Sequence, residues 1–93
     1  MNYKISELNF KNAKKLNVTI KPSTRKNKKI DVFDKTGKKL ASIGDLRYLD
    51  YSMYIKEKGL KYANERRRLY HIRHAKTKNK IGSPSYYSAR ILW

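Results

Sequence analysis

Lys29-Ile30-Asp31-Val32-Phe33, Asp34-Lys35-Thr36-Gly37 and Lys38-Lys39-Leu40-Ala41-Ser42-Ile43 make up the stretch that decides the fold. Two short runs flank a D-x-x-G connection. Gly at the end of such a connection suits a type I turn followed by a left-handed residue, a common way to close a four-residue hairpin. The stretch therefore predicts a β-hairpin, closed by Gly44-Asp45. Strand alternation places Ile30, Val32, Leu40 and Ser42 on one side, with Phe33, Ala41 and Ile43 on the other.

Upstream, Asn17 to Lys21 (N-V-T-I-K) reads as a short β-branched strand ended by Pro22, which cannot donate to a ladder. Ser23 to Lys29 (S-T-R-K-N-K-K) follows as a basic polar loop. Residues 1–16 carry Tyr3, Ile5, Leu8, Phe10 and Leu16 among lysines, and neither a helical nor a strand period fits them all. They read as an extended arm or a marginal strand.

Downstream, the pattern turns helical. Tyr48, Tyr51 and Tyr54, with Leu49 and Met53, suggest one or two turns ending before Gly59. Leu60 to Ala75 is the strongest helix, free of Gly, Pro and β-branched runs. On a helical wheel Tyr62, Leu69, Ile72 and Ala75 form one stripe, Asn64, Arg67, Arg68, His71 and His74 lie opposite, and Arg66, Tyr70 and Arg73 form a flank. Lys76 to Lys80 makes a basic turn. Ser83-Pro84 then starts a last short helix, Ser as N-cap and Pro at the first position. The Ile91-Leu92-Trp93 end suits docking into a core. Core candidates are Ile30, Val32, Leu40, Ile43, Tyr51, Leu69, Ile72, Ile91, Leu92 and Trp93.

The composition bounds the partners. Twenty-four Lys and Arg against seven Asp and Glu leave a net charge of +17 in 93 residues. Self-repulsion on that scale points to a polyanionic partner. Nucleic acid is the commonest, because each phosphate neutralised by Lys or Arg releases condensed counterions; an acidic protein face or an anionic membrane surface would answer the same charge. Hydrophobic content of 39% is low, yet aromatics reach 12%, eight of them Tyr, which supports a small core rather than disorder. With no Cys, disulfides and Cys-ligated zinc are excluded. No apolar run approaches the ~18–20 residues that span a bilayer, and the lysine-studded N-terminus does not read as a secretory signal. A soluble intracellular protein, or one packaged in a particle, is the expectation.

Glu65-Arg66-Arg67-Arg68-Leu69-Tyr70-His71-Ile72-Arg73-His74-Ala75-Lys76 is the functional centre of the sequence. Arg forks grip phosphate oxygens, and Tyr can hydrogen-bond or stack beside them. The plain alternative is a solvated face of a basic protein; Arg66 and Arg73 have the further alternative of pairing with Asp50, Glu57 or backbone carbonyls. The 23–29 cluster suits a phosphate contact, a localisation patch or a mobile solvated loop. The tyrosines at 48, 51, 54, 62, 86 and 87 suit core packing for at least half their number, or a stacking platform for bases. His71 and His74 lack the companions of a metal site. Tyr70-His71-Ile72-Arg73-His74 superficially resembles the H-x-x-R-H box of tyrosine recombinases, with Tyr86 or Tyr87 as nucleophile, but Tyr70 takes the place of its first His and the chain is too short for that catalytic domain. No nucleophile triad, glycine-rich phosphate loop or carboxylate pair stands out, so no enzyme, catalytic residue or cofactor is expected.

The order of the pieces carries a resemblance. S-T-R-K-N-K-K-I leads into the D-K-T-G hairpin, then Y-L-D-Y-S-M-Y over 48–54, E-R-R-R-L-Y-H-I-R-H-A-K over 65–76 and S-A-R-I-L-W over 88–93. Over Thr24 to Trp93 this resembles a family of small, basic, uncharacterised proteins of nucleocytoplasmic large DNA viruses, those of algae and amoebae. The most specific parts are Arg66, Arg67, Tyr70, Arg73 and His74, together with the terminal I-L-W. The resemblance implies a viral, virion-associated protein and supplies no catalytic residues.

The expected fold is α+β: a β-hairpin or small antiparallel sheet packed against the basic helix and a short C-terminal helix. The expected organisation is an N-terminal arm and short strand over 1–22, then a single small domain over 23–93. The expected function is nucleic-acid binding without sequence specificity, on double-stranded DNA through its backbone, in aid of packaging or condensation in the virion, with residence in host cytoplasm or nucleus during infection. The contact residues are Arg25, Lys26, Lys28, Lys29, Arg66, Arg67, Arg68, Tyr70, Arg73, His74, Lys76 and Lys78. The alternative is a minor capsid or core protein docking on acidic coat subunits or the inner membrane.

Overall fold

The computed structural model of the chain describes residues 3–93. The elements run α1 (Glu7–Lys15), β1 (Thr19–Pro22), β2 (Ile30–Phe33), β3 (Lys39–Ile43), α2 (Tyr51–Lys58), α3 (Leu60–Arg73) and α4 (Pro84–Ile91). The three strands form one antiparallel sheet in the order β1-β2-β3. The α+β architecture is therefore as the sequence suggests.

The hairpin closes as its turn residues dictate. Asp34 Oδ1 accepts from the N–H groups of Thr36 and Lys38, both at 2.9 Å, and Gly37 takes φ +92°, where L residues are strained. The facing of its strands is a correction. Val32 pairs with Ala41 while Phe33 pairs with Lys39, so Leu40 is an extra residue on β3. Such a bulge shifts the side-chain alternation by one. Ala41 and Ile43, not Leu40 and Ser42, thus join Ile30 and Val32 in the core. On the other face Asp31 and Ser42 pair, and both are buried.

Residues 7–15 correct the expected extended arm. They form a helix because Ser6 caps it: Ser6 Oγ accepts from the Asn9 N–H at 3.1 Å, and Asn9 Oδ1 accepts from the Ser6 N–H at 3.2 Å, a reciprocal box. Asn17 ends it at φ +60°, its N–H donating to the Lys14 carbonyl and the Val18 N–H to the Ala13 carbonyl. Asn17 is thus a helix stop, and the strand begins at Thr19. Pro22 closes β1 on the sheet edge, the position proline tolerates.

The core gathers Ala13, Ile20, Ile30, Val32, Ala41, Ile43, Tyr87, Ile91 and Leu92. Helices α1 and α4 supply its helical side, and α2 and α3 form an antiparallel pair joined to it by the chain end. The Tyr51 N–H donates to the Leu92 carbonyl at 3.2 Å, and Tyr70 Oη to Ser88 Oγ at 3.1 Å. The wheel expected for α3 is a third correction. Its one buried residue is Ala63, and Ile72 is 60% exposed, because α3 meets α2 and the chain end through Ala63, Arg66 and Tyr70 rather than through an aliphatic stripe. Leu40, Tyr51, Leu69 and Trp93 are half-buried rather than core. Among the six tyrosines weighed as core, Tyr87 is buried, Tyr51, Tyr54 and Tyr86 are half-buried, and Tyr48 and Tyr62 are exposed.

Candidate nucleic-acid interface

From Arg66 to Trp93 the chain has eight Lys and Arg, both His and no Asp or Glu. Among the described residues four ion pairs form: Lys29–Asp50, Lys39–Asp31, Arg47–Asp45 and Arg68–Glu65. The other cations have no carboxylate within pairing distance. On α3, Arg67, Arg68 and Arg73 are exposed, and Lys76 continues the run just past the helix.

The expected contact residues divide in two. Arg67 lies over the Tyr51 ring at 4.9 Å and Arg66 over Tyr54 at 5.6 Å, so both heads are steadied by aromatic faces. Neither Arg66 nor Arg73 pairs with Asp50 or Glu57. Arg68 grips Glu65 with two donors one helical turn away, which satisfies part of its fork. Arg73 and Lys76 have no acidic partner. Tyr70 turns inward instead: it stacks on Trp93 at 4.6 Å and 7°, and burial raises its pKa. His74 caps the end of α3 with its ring 4.2 Å from that of Tyr70. These two rings hold the chain end against α3, beside a cleft of about 480 Å³ that Arg66 and Arg73 also line.

The loop cluster is split as well. Arg25 and Lys26 are exposed, and no hydrogen bond, ion pair or ring contact joins them to α3. Lys28 is half-buried and its charge helps to lower the pKa of Asp45, after the larger effect of Arg47. Lys29 is a correction, for its side chain is only 3% exposed. Its Nζ donates to Asp50 Oδ2 at 2.9 Å and stands 5.3 Å from the Tyr3 ring centre, so its charge is used inside the molecule and cannot reach a phosphate.

Lys78 lies away from the outer face of α3. Its Nζ is 3.3 Å from His71 Nδ1, and its carbonyl accepts from Arg90 at 2.6 Å. Arg90 is the cation that sequence reasoning missed; the four-residue spacing from Tyr86, on which its guanidinium stacks at 4.0 Å, was the available signal. His71 and His74 point to different depressions, so they share no ion, and no group of three or more His, Cys, Asp or Glu is placed to hold a metal among the described residues. No helix of the described residues is long and apolar enough to cross a membrane. What the arrangement offers chemically is guanidinium and ammonium donors on an exposed helix, with Glu65 the one carboxylate paired to a cation of that helix among the described residues.

No family model, curated protein or solved structure matches this chain.

Proposed function

We propose that this chain binds nucleic acid through the phosphate backbone, without reading base sequence, and that the outer face of α3 is its principal contact. The observation that carries the reading is the set of exposed cations at Arg67, Arg73 and Lys76, unmatched by any carboxylate except the Glu65 that holds Arg68. Such cations exchange hydrating water and chloride for phosphate oxygens and release the counterions condensed on the strand. Arg25 and Lys26 add a second contact at the loop. Lys29 and Tyr70 hold the fold rather than the ligand. The resemblance to proteins of large DNA viruses extends the reading to a virion-associated role in neutralising or condensing packaged double-stranded DNA, with the protein passing through host cytoplasm or nucleus. No catalytic role is assigned.

The test is a triple variant, Arg68→Ala with Arg73→Ala and Lys76→Ala, titrated against a short duplex. These side chains are exposed, so thermal stability should stay within about 0.5 kcal/mol per site. The slope of log affinity against log salt should fall by roughly 2, about 0.9 for each of the two unpaired cations removed, with Arg68 already held by Glu65. An unchanged slope would take α3 out of the interface.

A second reading has its own support. Leu60, Ile72 and Ile81 are exposed at 57%, 60% and 84%, which suits apolar contact with another protein. A minor capsid or core protein docking on acidic coat subunits would use them beside the same cations. Particle fractions after nuclease treatment separate the two: a shell component stays, and a genome-bound protein leaves with the DNA.

A further inference from the structure

Like charges repel, so cations gathered from separate elements around one depression cost energy unless something of opposite sign completes the group. Between α1, α3 and α4 lies a depression of about 370 Å³ that has this character. Lys15 reaches it from α1, Arg67 and His71 from α3, Lys78 from the α3–α4 connection and Arg90 from α4. No Asp or Glu side chain lines it; Asn12, Asn79 and the main chain of Trp93 supply its other polar groups.

Arg90 is held in place before any ligand arrives. One terminal nitrogen donates to the carbonyls of Lys78 and Tyr86 at 2.6 and 3.3 Å, and the other to Asn79 Oδ1 at 3.0 Å. Its Nε–H and one further N–H have no protein acceptor among the described residues. His71 reports the local field. Burial lowers its pKa, the charges of Lys78, Arg67 and Arg90 lower it further, and a hydrogen bond to the Trp93 main chain opposes them. The ring stands with Nδ1 3.3 Å from Lys78 Nζ.

We propose that this depression is a binding site for a single phosphate group. Donors converging from three helices and a loop suit a tetrahedral anion, whose oxygens point in several directions, better than a flat carboxylate. The site shares Arg67 with the α3 face proposed above but takes none of Arg68, Arg73 and Lys76, and inorganic phosphate alone should fill it. Lys15 and Lys78 are the contributors whose removal least disturbs the fold, since Arg90 also ties the α3–α4 connection to α4.

The experiment follows the imidazole signals of His71 and His74 by NMR in the full chain, as pH is varied in phosphate or in chloride at equal ionic strength. With phosphate bound, the cationic field on His71 is cancelled, so its proton affinity should rise at least tenfold. His74, stacked on Tyr70 beside the other cleft, should not follow it. Lys15→Ala combined with Lys78→Ala should weaken phosphate binding at least tenfold with the circular dichroism spectrum unchanged. A His71 response equal in phosphate and chloride, no response at all, or undiminished binding by the double variant would each overturn the site.

Two further arms name the source of the phosphate. A short oligonucleotide that moves His71 only when it carries a 5′-phosphate assigns the site to a strand end. Equal movement with and without that group assigns it to a backbone phosphodiester, and movement with inorganic phosphate alone assigns it to the free ion. Loss of duplex binding in the α3 triple variant with the His71 response intact leaves this site standing on its own.

Discussion

Lys29 and Asp50 share a bond inside the molecule, and Tyr3 Oη donates to the same carboxylate oxygen at 2.6 Å. The other oxygen of Asp50 accepts from the Met53 N–H and so caps α2. This cluster ties the N-terminal segment, the start of β2 and the start of α2 to one buried point. Replacing Lys29 by Met would leave Asp50 buried with its charge uncompensated, and breaking a buried pair in this way costs about 3–5 kcal/mol. Lys26→Met should be silent on the same scale. Urea denaturation of the two variants checks the contrast; equal midpoints would mean that Lys29 is not the internal cation described. Nothing in S-T-R-K-N-K-K marks the last lysine as different from its neighbours, because what selects it is a carboxylate twenty-one residues away. Asp31 is the second such residue. Burial alone would raise its pKa, but bonds from the Ser23 and Ser42 hydroxyls and the Thr24 N–H, with the charge of Lys39, hold it at about 2. A carboxylate depressed in the folded state stabilises above its unfolded value, near 4, and that stabilisation is lost as pH falls from there toward 2. After allowance for solvent screening, on the order of 1–2 kcal/mol should disappear over that window, and Asp31→Asn should flatten it. Stability followed by circular dichroism from pH 5 to pH 2, roughly the span that brackets both values, reads the effect.

At the scale of the element, α3 explains why part of the fold was legible and part was not. The hairpin turn at Asp34–Gly37 and the Ser83-Pro84 helix start depend on local chemistry alone, so a short window of sequence is enough to place them. The inward face of α3 depends on Trp93, twenty-three residues beyond Tyr70, and on the small size of Ala63; an aliphatic stripe on the wheel cannot reveal either. The same reason hid α1, whose buried positions are Asn9 and Ala13: Asn9 donates to the Ile91 carbonyl at 2.9 Å, a partner at the other end of the chain. The outward face of α3 was legible as charge but not as pairing. Glu65 occupies Arg68, which lowers the number of cations offered to a strand. Glu65→Gln should release that guanidinium, tighten duplex binding and steepen the salt slope by about 0.9, the value for one added contact. Affinity measured at three salt concentrations decides the point, and an unchanged slope would mean that Arg68 faces away from the ligand.

Over the whole molecule, the charge is not spread among compensated pairs. A radius of gyration of 12.6 Å confines a net +17 to a small body, and the acidic residues that do pair lie before Arg66. The sheet, α1 and α4 supply the aliphatic core, while the α2–α3 pair carries cations outward on a frame of aromatic contacts. This division lets a chain of modest hydrophobic content fold and still present unpaired charge. The measurement that tests the account most directly is the affinity of the intact chain for a short DNA duplex as monovalent salt rises. With about five phosphate contacts the account predicts a fall of roughly 10²–10³-fold between about 50 and 200 mM, the same for duplexes of unrelated sequence. An affinity that stays flat across that range, or no binding at its lower end, would contradict it.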